Sequence, residues 1–253
     1  MEKKPQFYSK TVEKAIFIIN GISNNKSISI SELSKKLKYD RATTYRIINT
    51  LFENGFLIKK ENKYKLSAKF LNISLKLLEE MDIREIARPR LEELSNISDE
   101  VIYLTILEND ELIIIDKIDS KQSIRIFSKI GQRLPLYCTA TGKIFLSYLP
   151  EEKTNRILTE IKMEKHTPNT ITDIQILKKQ FSEIRQKGYA IGDSEYDIYK
   201  RTIGAPIFNH GREIVACIAI AGTINTLTDD KLYKLIEPVK NIASEISKTL
   251  GLL

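Results

Sequence analysis

The sequence predicts an α+β protein in two parts: a small helical lobe closed by a hairpin, then a larger lobe on a mostly antiparallel sheet. Three observations carry that expectation. Residues 29–66 read as two short helices followed at once by two short strands. From Val101 the apolar period becomes that of strands, which come in hairpins with helices before, between and after them, favouring α+β over a parallel sheet. Charge is also lopsided. Residues 1–70 hold fifteen Lys/Arg against six Asp/Glu, a net of +9, whereas residues 71–253 hold 25 against 27, a net of −2.

Each element has a local reason. Ser9 can cap a first helix over TVEKAIFIIN, with Val12, Ile16 and Ile19 spaced to pack it and Gly21 to end it. Ser29 followed three residues later by Glu32 is a capping-box start for the next helix, whose Leu33 and Leu37 share one side. Asp40 can cap the third, in which Thr44, Ile47, Ile48 and Leu51 keep helical spacing. Its opposite face then presents Arg41, Thr43, Tyr45, Arg46 and Asn49. Gly55 suits the left-handed residue that ends such a helix. FLIKK and KYKL form two strands around Glu61–Asn62, with lysines crowding the tip. Residues 1–68 thus read as a winged helix-turn-helix. The exposed side chains can donate to phosphates or read base edges in a major groove, and the local charge predicts salt-dependent DNA binding. A solvated basic surface would explain the charge alone, but not the helix pair and wing. For Tyr45, packing against the wing is the alternative.

Phe70, Ile73 and Leu77, then Ile83, Ile86, Leu91 and Leu94, keep helical spacing, interrupted near Met81–Asp82. This predicts a linker helix over 69–86 and the first helix of a second domain, 87–253, with Pro89 bending or ending a turn. VIYLTIL and ELIIIDKI form a hairpin about Glu108–Asp110, and SIRIFSKIG reads as a third strand. LPLYCTATGKIFLSYLP is a loop entering a helix near Thr141. Ile174–Lys187 is a helix ended by Gly188; Tyr189–Tyr196 and Thr202–Phe208 are strands, with a turn at Asn209–Arg212. EIVACIAIAG is a strand buried on both faces, and Asp229–Leu250 is one long amphipathic helix.

Composition excludes several classes. At 42% apolar and 29% charged residues the chain is ordinary for a soluble globular protein. No run approaches the roughly 18 apolar residues of a membrane span, and MEKKPQFYSK has no apolar stretch of a secretory signal. Cys138 and Cys217 form no paired motif, so a cytoplasmic location is expected. Cys217 reads as a small core residue and Cys138 as packing beside a pocket. The only histidines, His166 and His210, have no zinc spacing and read as surface or turn residues. Asp193 and Glu195 alternate on a strand and read as a solvated edge, while Gly188 and Gly192 make no phosphate loop. No metal, cofactor or catalytic constellation is expected.

Across nearly its whole length the chain resembles the IclR family of transcriptional regulators. The stretches are AIFIIN, SISELSKKL, TTYRIINTLFENGFL, GQRLPLYCTATGKIFLSYLP, HTPNTITD, EIRQKGYAIGDSEYD, APIF, AIAG and EISKTLGLL. The resemblance implies a winged helix, a linker helix and a GAF-like effector-binding domain. It also implies homodimers, often paired into tetramers, on palindromic operators in double-stranded DNA near catabolic genes. It places DNA contacts at Arg41, Thr43, Tyr45, Arg46 and Asn49, a backbone contact at Lys35, and Lys59, Lys60 and Lys63 on the wing. It places a small-molecule effector, a carboxylate, at or near Leu134, Ala140, Thr141, Gly142, Gly192, Asp193, Thr202, Ala219 and Ala221. The helix start at Ala140–Gly142 suits an anion physically. Relatives taking very small keto acids often carry hydroxyl side chains where this chain has Ala219 and Ala221, an acid at Gly192 and a glycine at Tyr199. These changes predict a roomier, less polar pocket for a larger acid, such as a sugar acid or aromatic catabolite. The expected function is a ligand-responsive regulator, a repressor of a catabolic operon, and not an enzyme. A ligand acts only by preferring one arrangement of the reading heads. A second reading makes the large domain a sensor or enzyme, with the winged helix as a protein-interaction module; salt-dependent promoter binding separates the two.

Overall fold

The computed structural model describes residues 8–73, 82–123 and 126–251. They belong to two units, residues 1–80 and 81–253.

In the first unit, α1 (Lys10–Ser23) is capped by the Ser9 side chain. Its buried residues are Ile18, Gly21 and Ile22, while Val12, Ile16 and Phe17 stand 58%, 53% and 47% exposed. The sequence reading therefore chose the wrong face. Gly21 does not end the helix; it lies inside, where an added Cβ would come 2.7 Å from Leu33 Cδ1. That close approach seats α1 against α2 (Ile30–Leu37). In α2 the capping box is complete: Glu32 N–H donates to Ser29 Oγ and Ser29 N–H donates to the Glu32 carboxylate. Asp40 caps α3 (Arg41–Glu53) through Thr43 N–H at 2.7 Å. That bond holds its carboxyl below the usual aspartate range. Gly55, at φ +75, ends the helix, and Gly55 and Phe56 donate back to Phe52 and Leu51. Residues with a Cβ resist that conformation.

Strands β2 (Leu57–Lys60) and β3 (Lys63–Leu66) form the wing, and β1 (Ile28–Ser29) pairs with β3 to complete a three-stranded sheet. Ile18, Ile22, Leu33, Ile48, Leu57 and Tyr64 form one apolar core. Each fully buried Leu or Ile contributes about 1.5–3 kcal/mol. Residues 69–73 are helical; the rest of the expected linker helix, from 74 to 81, lies outside the described residues.

In the second unit, six strands form one antiparallel sheet in the order β6-β5-β4-β9-β8-β7. They are β4 (Val101–Glu108), β5 (Glu111–Ile118), β6 (Arg133–Leu134), β7 (Ala190–Asp193), β8 (Lys200–Phe208) and β9 (Ile214–Thr223). The β4–β5 turn at Asn109 and Asp110 has positive φ at both residues, as a two-residue hairpin turn requires. Central β9 shows why the sheet is covered twice. Cys217, Ala219 and Ala221 join the core on one face, and Ala216, Ile218 and Ile220 join the core on the other.

On the second face lie α4 (Asp82–Ser98), α8 (Asp229–Lys234) and α9 (Ile236–Thr249); on the first lie α5 (Ala140–Tyr148), α6 (Glu151–Glu160) and α7 (Ile174–Lys187). Helix α4 runs on past Pro89 and is tied to β5 by Arg88 and Arg84, which reach the fully buried Asp116 at 2.9 and 3.4 Å.

Four expectations need correction. The described part of 123–131 is not a strand: Gly131, at φ +81, turns the chain, and the edge pairing falls to Arg133–Leu134. Ile124 and Arg125 lie outside the described residues. Helix α6 was missed because its sequence, EEKTNRILTE, is mostly polar. The terminal helix breaks at Leu235, since Pro238 has no N–H to continue the ladder. Strand β7 stops at Asp193, because Ser194 turns left-handed at φ +55.

Candidate functional site

On α3 the caps and the buried row Thr44, Ile47 and Ile48 fix the helix rotation. Arg41, Tyr45, Arg46 and Asn49 consequently stand exposed, and Thr43 is half-buried. Tyr45 is 55% exposed, so it does not pack away against the wing. Arg46 and Thr43 border a groove of about 540 Å³ shared with Lys10 and Lys14 of α1. Lys35 on α2 and Lys59, Lys60 and Lys63 on the wing are exposed, and Lys59 stacks over the Tyr64 ring at 5.8 Å. Among the described residues none of these cations enters an ion pair, although Lys63 acts on the Glu32 carboxylate and Lys14 on that of Asp40. Together they make a predominantly positive surface carrying planar guanidinium donors, a chemistry suited to phosphate and base edges.

In the second unit the candidate effector residues form two groups. Register aligns Val101, Ala221, Thr202 and Gly192 across four strands, and Tyr103, Ala219, Gly204 and Ala190 beside them. Opposed residues share a face, so these rows form a floor of mostly small side chains with Tyr103 as the large one. The start of α5 sits on it. A Cβ at Gly192 would meet Thr202 Oγ1 at 2.6 Å and Ala140 N at 3.2 Å. One at Gly142 would lie 2.3 Å from the Leu136 carbonyl oxygen. Ala140, Ala219 and Ala221 are buried in one core, and Gly142 is pressed against the Leu136 backbone. The extra room expected at Gly192 is filled by Thr202 and Ala140.

Gly192 and Thr202 instead border a small cleft with Tyr103, Cys138, Thr139, Glu195 and Lys200. Its free interior is about 10 Å³, the scale of one water. It adjoins a wider cleft of about 760 Å³, which shares Tyr196, Asp197 and Lys200 and adds Phe127 and His166. His166 is exposed and lies against the rings of Tyr137 and Tyr196.

Two expected residues lie elsewhere. Leu134 is on the opposite edge strand, paired with Leu112. Asp193 is exposed and held by Arg201 through two 2.8 Å bonds, which lower its pKa; Arg201 also reaches Asp229.

Glu195 overturns the solvated-edge reading. The left-handed Ser194 breaks the alternation and turns Glu195 inward, where it is 7% exposed and accepts from Lys143 Nζ at 2.5 Å. The HTPNTITD stretch explains its placement. Thr167 Oγ1 donates to the Ser194 carbonyl and Thr170 Oγ1 to that of Glu195, both at 2.6 Å. Lys143 and Lys200 were missed as candidates and Glu195 was set aside; the signal available was that T-x-T-G-K and T-P-N-T carry polar groups beside apolar runs. Burial pushes the Cys138 thiol up to about 12 and holds that of Cys217 well above its ordinary value. Both are neutral thiols, which suits packing and not nucleophilic attack. Among the described residues no group of His, Cys, Asp and Glu could hold a metal ion, and no helix is long and apolar enough to cross a membrane.

Comparison with known proteins gives the same two-part division. Residues 75–248 match the model of the bacterial transcriptional regulator IclR C-terminal domain, and residues 14–63 match that of the MarR family. The HTH-type transcriptional regulator KipR of Bacillus subtilis is 35% identical over 244 residues, covering 96% of this chain and 98% of KipR. KdgR of Escherichia coli, also an HTH-type transcriptional regulator, is 28% identical over 253 residues, covering 99% and 96%. The crystal structure of the Thermotoga maritima IclR superposes with a TM-score of 0.79 at 32% identity, over 95% of this chain and 98% of that one.

Proposed function

The chain belongs to the IclR family of transcriptional regulators, and from that premise we propose how its two units divide the work. The protein is a DNA-binding HTH-type regulator. Arg41, Thr43, Tyr45, Arg46 and Asn49 read a palindromic operator, with Lys35, Lys59, Lys60 and Lys63 on the phosphates. The single observation that carries this reading is the exposed row on α3, whose cations enter no ion pair among the described residues. The exposed Val12, Ile16 and Phe17 on α1 offer an apolar face that a second copy can cover, consistent with a homodimer in the cytoplasm, and a dimer of dimers remains compatible with the family.

The second unit senses a small organic acid at the cleft of Gly192, Thr202 and Lys200 and releases a catabolic operon from repression. An acid larger than two carbons extends outward into the Phe127 and His166 cleft, since the floor beneath α5 is filled. A gel shift on the promoter beside the gene, with a thermal-shift panel of organic acids, tests both halves. Normal operator binding by Arg46→Ala would sink the DNA assignment; stabilisation by glyoxylate or pyruvate alone would sink the larger-acid assignment.

A further inference from the structure

In the small cleft most polar groups are already committed. Thr139 Oγ1 donates to the Pro135 carbonyl at 2.6 Å and accepts from Gly142 N–H. Thr202 Oγ1 faces the Gly192 carbonyl at 3.5 Å. Asp197 Oδ1 accepts from Tyr199 N–H. Two charged groups stand apart from these. Glu195 gives Oε1 to Lys143, and its Oε2 is buried with no hydrogen-bond partner. The Lys200 ammonium stands over the Tyr103 ring at 5.3 Å and enters no ion pair among the described residues. A buried carboxylate oxygen and a sheltered ammonium without partners are both costly to the folded state, and such groups gather where a ligand completes them.

We propose that Lys200 and Glu195 Oε2 form a two-ended recognition site for a hydroxy monocarboxylic acid, the ligand carboxylate on Lys200 and a ligand hydroxyl donating to Glu195. The assignment rests on the organic-acid reading above and narrows it. A plain acid leaves Glu195 Oε2 unsatisfied, and a diacid sets a second carboxylate against it. Sites built to bond a hydroxyl strongly reject analogues that lack one. The ring or chain between the two groups extends toward Phe127 and His166.

Charge state gives an independent readout. Burial pulls Lys200 down to about 8, opposed by Asp197. The groups around it are Tyr103, Cys138, Glu195 with its partner Lys143, Tyr196 and Asp197. Burial keeps the Tyr103 and Cys138 side chains neutral through this range. An anion binds the protonated lysine, so affinity is full below pH 8 and falls as pH rises through that value.

Titration calorimetry on the full-length protein tests this with two matched pairs, 3-hydroxybutyrate against butyrate and 4-hydroxybenzoate against benzoate, and with glucarate as the diacid. The expected result is one hydroxy acid binding at least tenfold tighter than its partner, glucarate binding weaker still, and a tenfold or larger loss in Lys200→Gln. The wild type should lose affinity between pH 8 and 9.5, and the residual binding of Lys200→Gln should be flat over that range. Glu195→Gln should erase the preference for the hydroxyl; if that variant fails to fold, the matched pairs decide alone. Equal binding within both pairs, or an unweakened Lys200→Gln, overturns the proposal and leaves the organic-acid reading standing. Failure of every acid to bind overturns both.

Discussion

Arg41, Arg46 and the wing lysines Lys59 and Lys60 of the first unit stand in solvent and enter no ion pair among the described residues, whereas Lys143 of the second unit is 2% exposed and lies on Glu195. Glu100 and Asp116 are likewise buried, the first against Lys231 at 2.6 Å and the second against Arg88. The same residue types serve opposite ends. Unpaired surface cations cost little in water and are free to meet phosphate. Buried charges need partners, and once paired they fix side chains in place. Among the described residues of the second unit Lys200 combines the two conditions: sheltered like Lys143, and in no ion pair, like Arg46. That combination marks a place where a partner comes from outside.

The contrast can be broken from either side. Lys143→Ala should have the largest effect, because it strands Glu195 without its counter-charge. Breaking a buried pair costs about 3–5 kcal/mol, read as a lowered midpoint in urea denaturation. A midpoint near wild type would mean that the pair is not structural. Arg46→Ala should cost about 1–3 kcal/mol of operator binding, seen as a rise of about 5- to 150-fold in Kd by fluorescence anisotropy, with an unchanged circular dichroism spectrum.

Asp40→Ala removes the α3 cap and should lower the urea midpoint by less than Lys143→Ala does. Because the Asp40 carboxyl is held below its usual range, its contribution is present above the unfolded pKa and is lost as pH falls through the folded one. Wild type and variant should therefore converge in strongly acidic solution, and a constant gap at every pH would rule the cap out as the cause. Lys60→Ala should leave sequence preference unchanged and reduce the salt slope of DNA binding by about one. An unchanged slope would remove Lys60 from the phosphate contacts.

How far the sequence reached differs between the units. In the first, Ser9, Ser29–Glu32, Asp40 and Gly55 are local signals, each acting within a few residues, and the structure places caps and turn at those positions. The face of α1 was misread because Val12 and Ile16 are as apolar as Ile18 and Ile22; only the seat of Gly21 on Leu33 decides which side goes in. In the second unit the hairpin at Asn109–Asp110 and the doubly buried β9 were legible, but the polar helix α6 and the break before Pro238 were not.

The sequence alone determined the class of machine: a charged reading head followed by a sheet domain, because caps, turns and apolar period act over short stretches of chain. It could not say which charges would be buried. Glu195 looks like any surface carboxylate in SEYDIYK until the threonines of HTPNTITD, some 25 residues earlier, clasp its backbone and Lys143 meets its side chain. Lys200 becomes unusual only because β8 carries it over Tyr103 of β4, a residue far away in the chain. Desolvation is a property of surroundings, and surroundings are assembled by the tertiary fold.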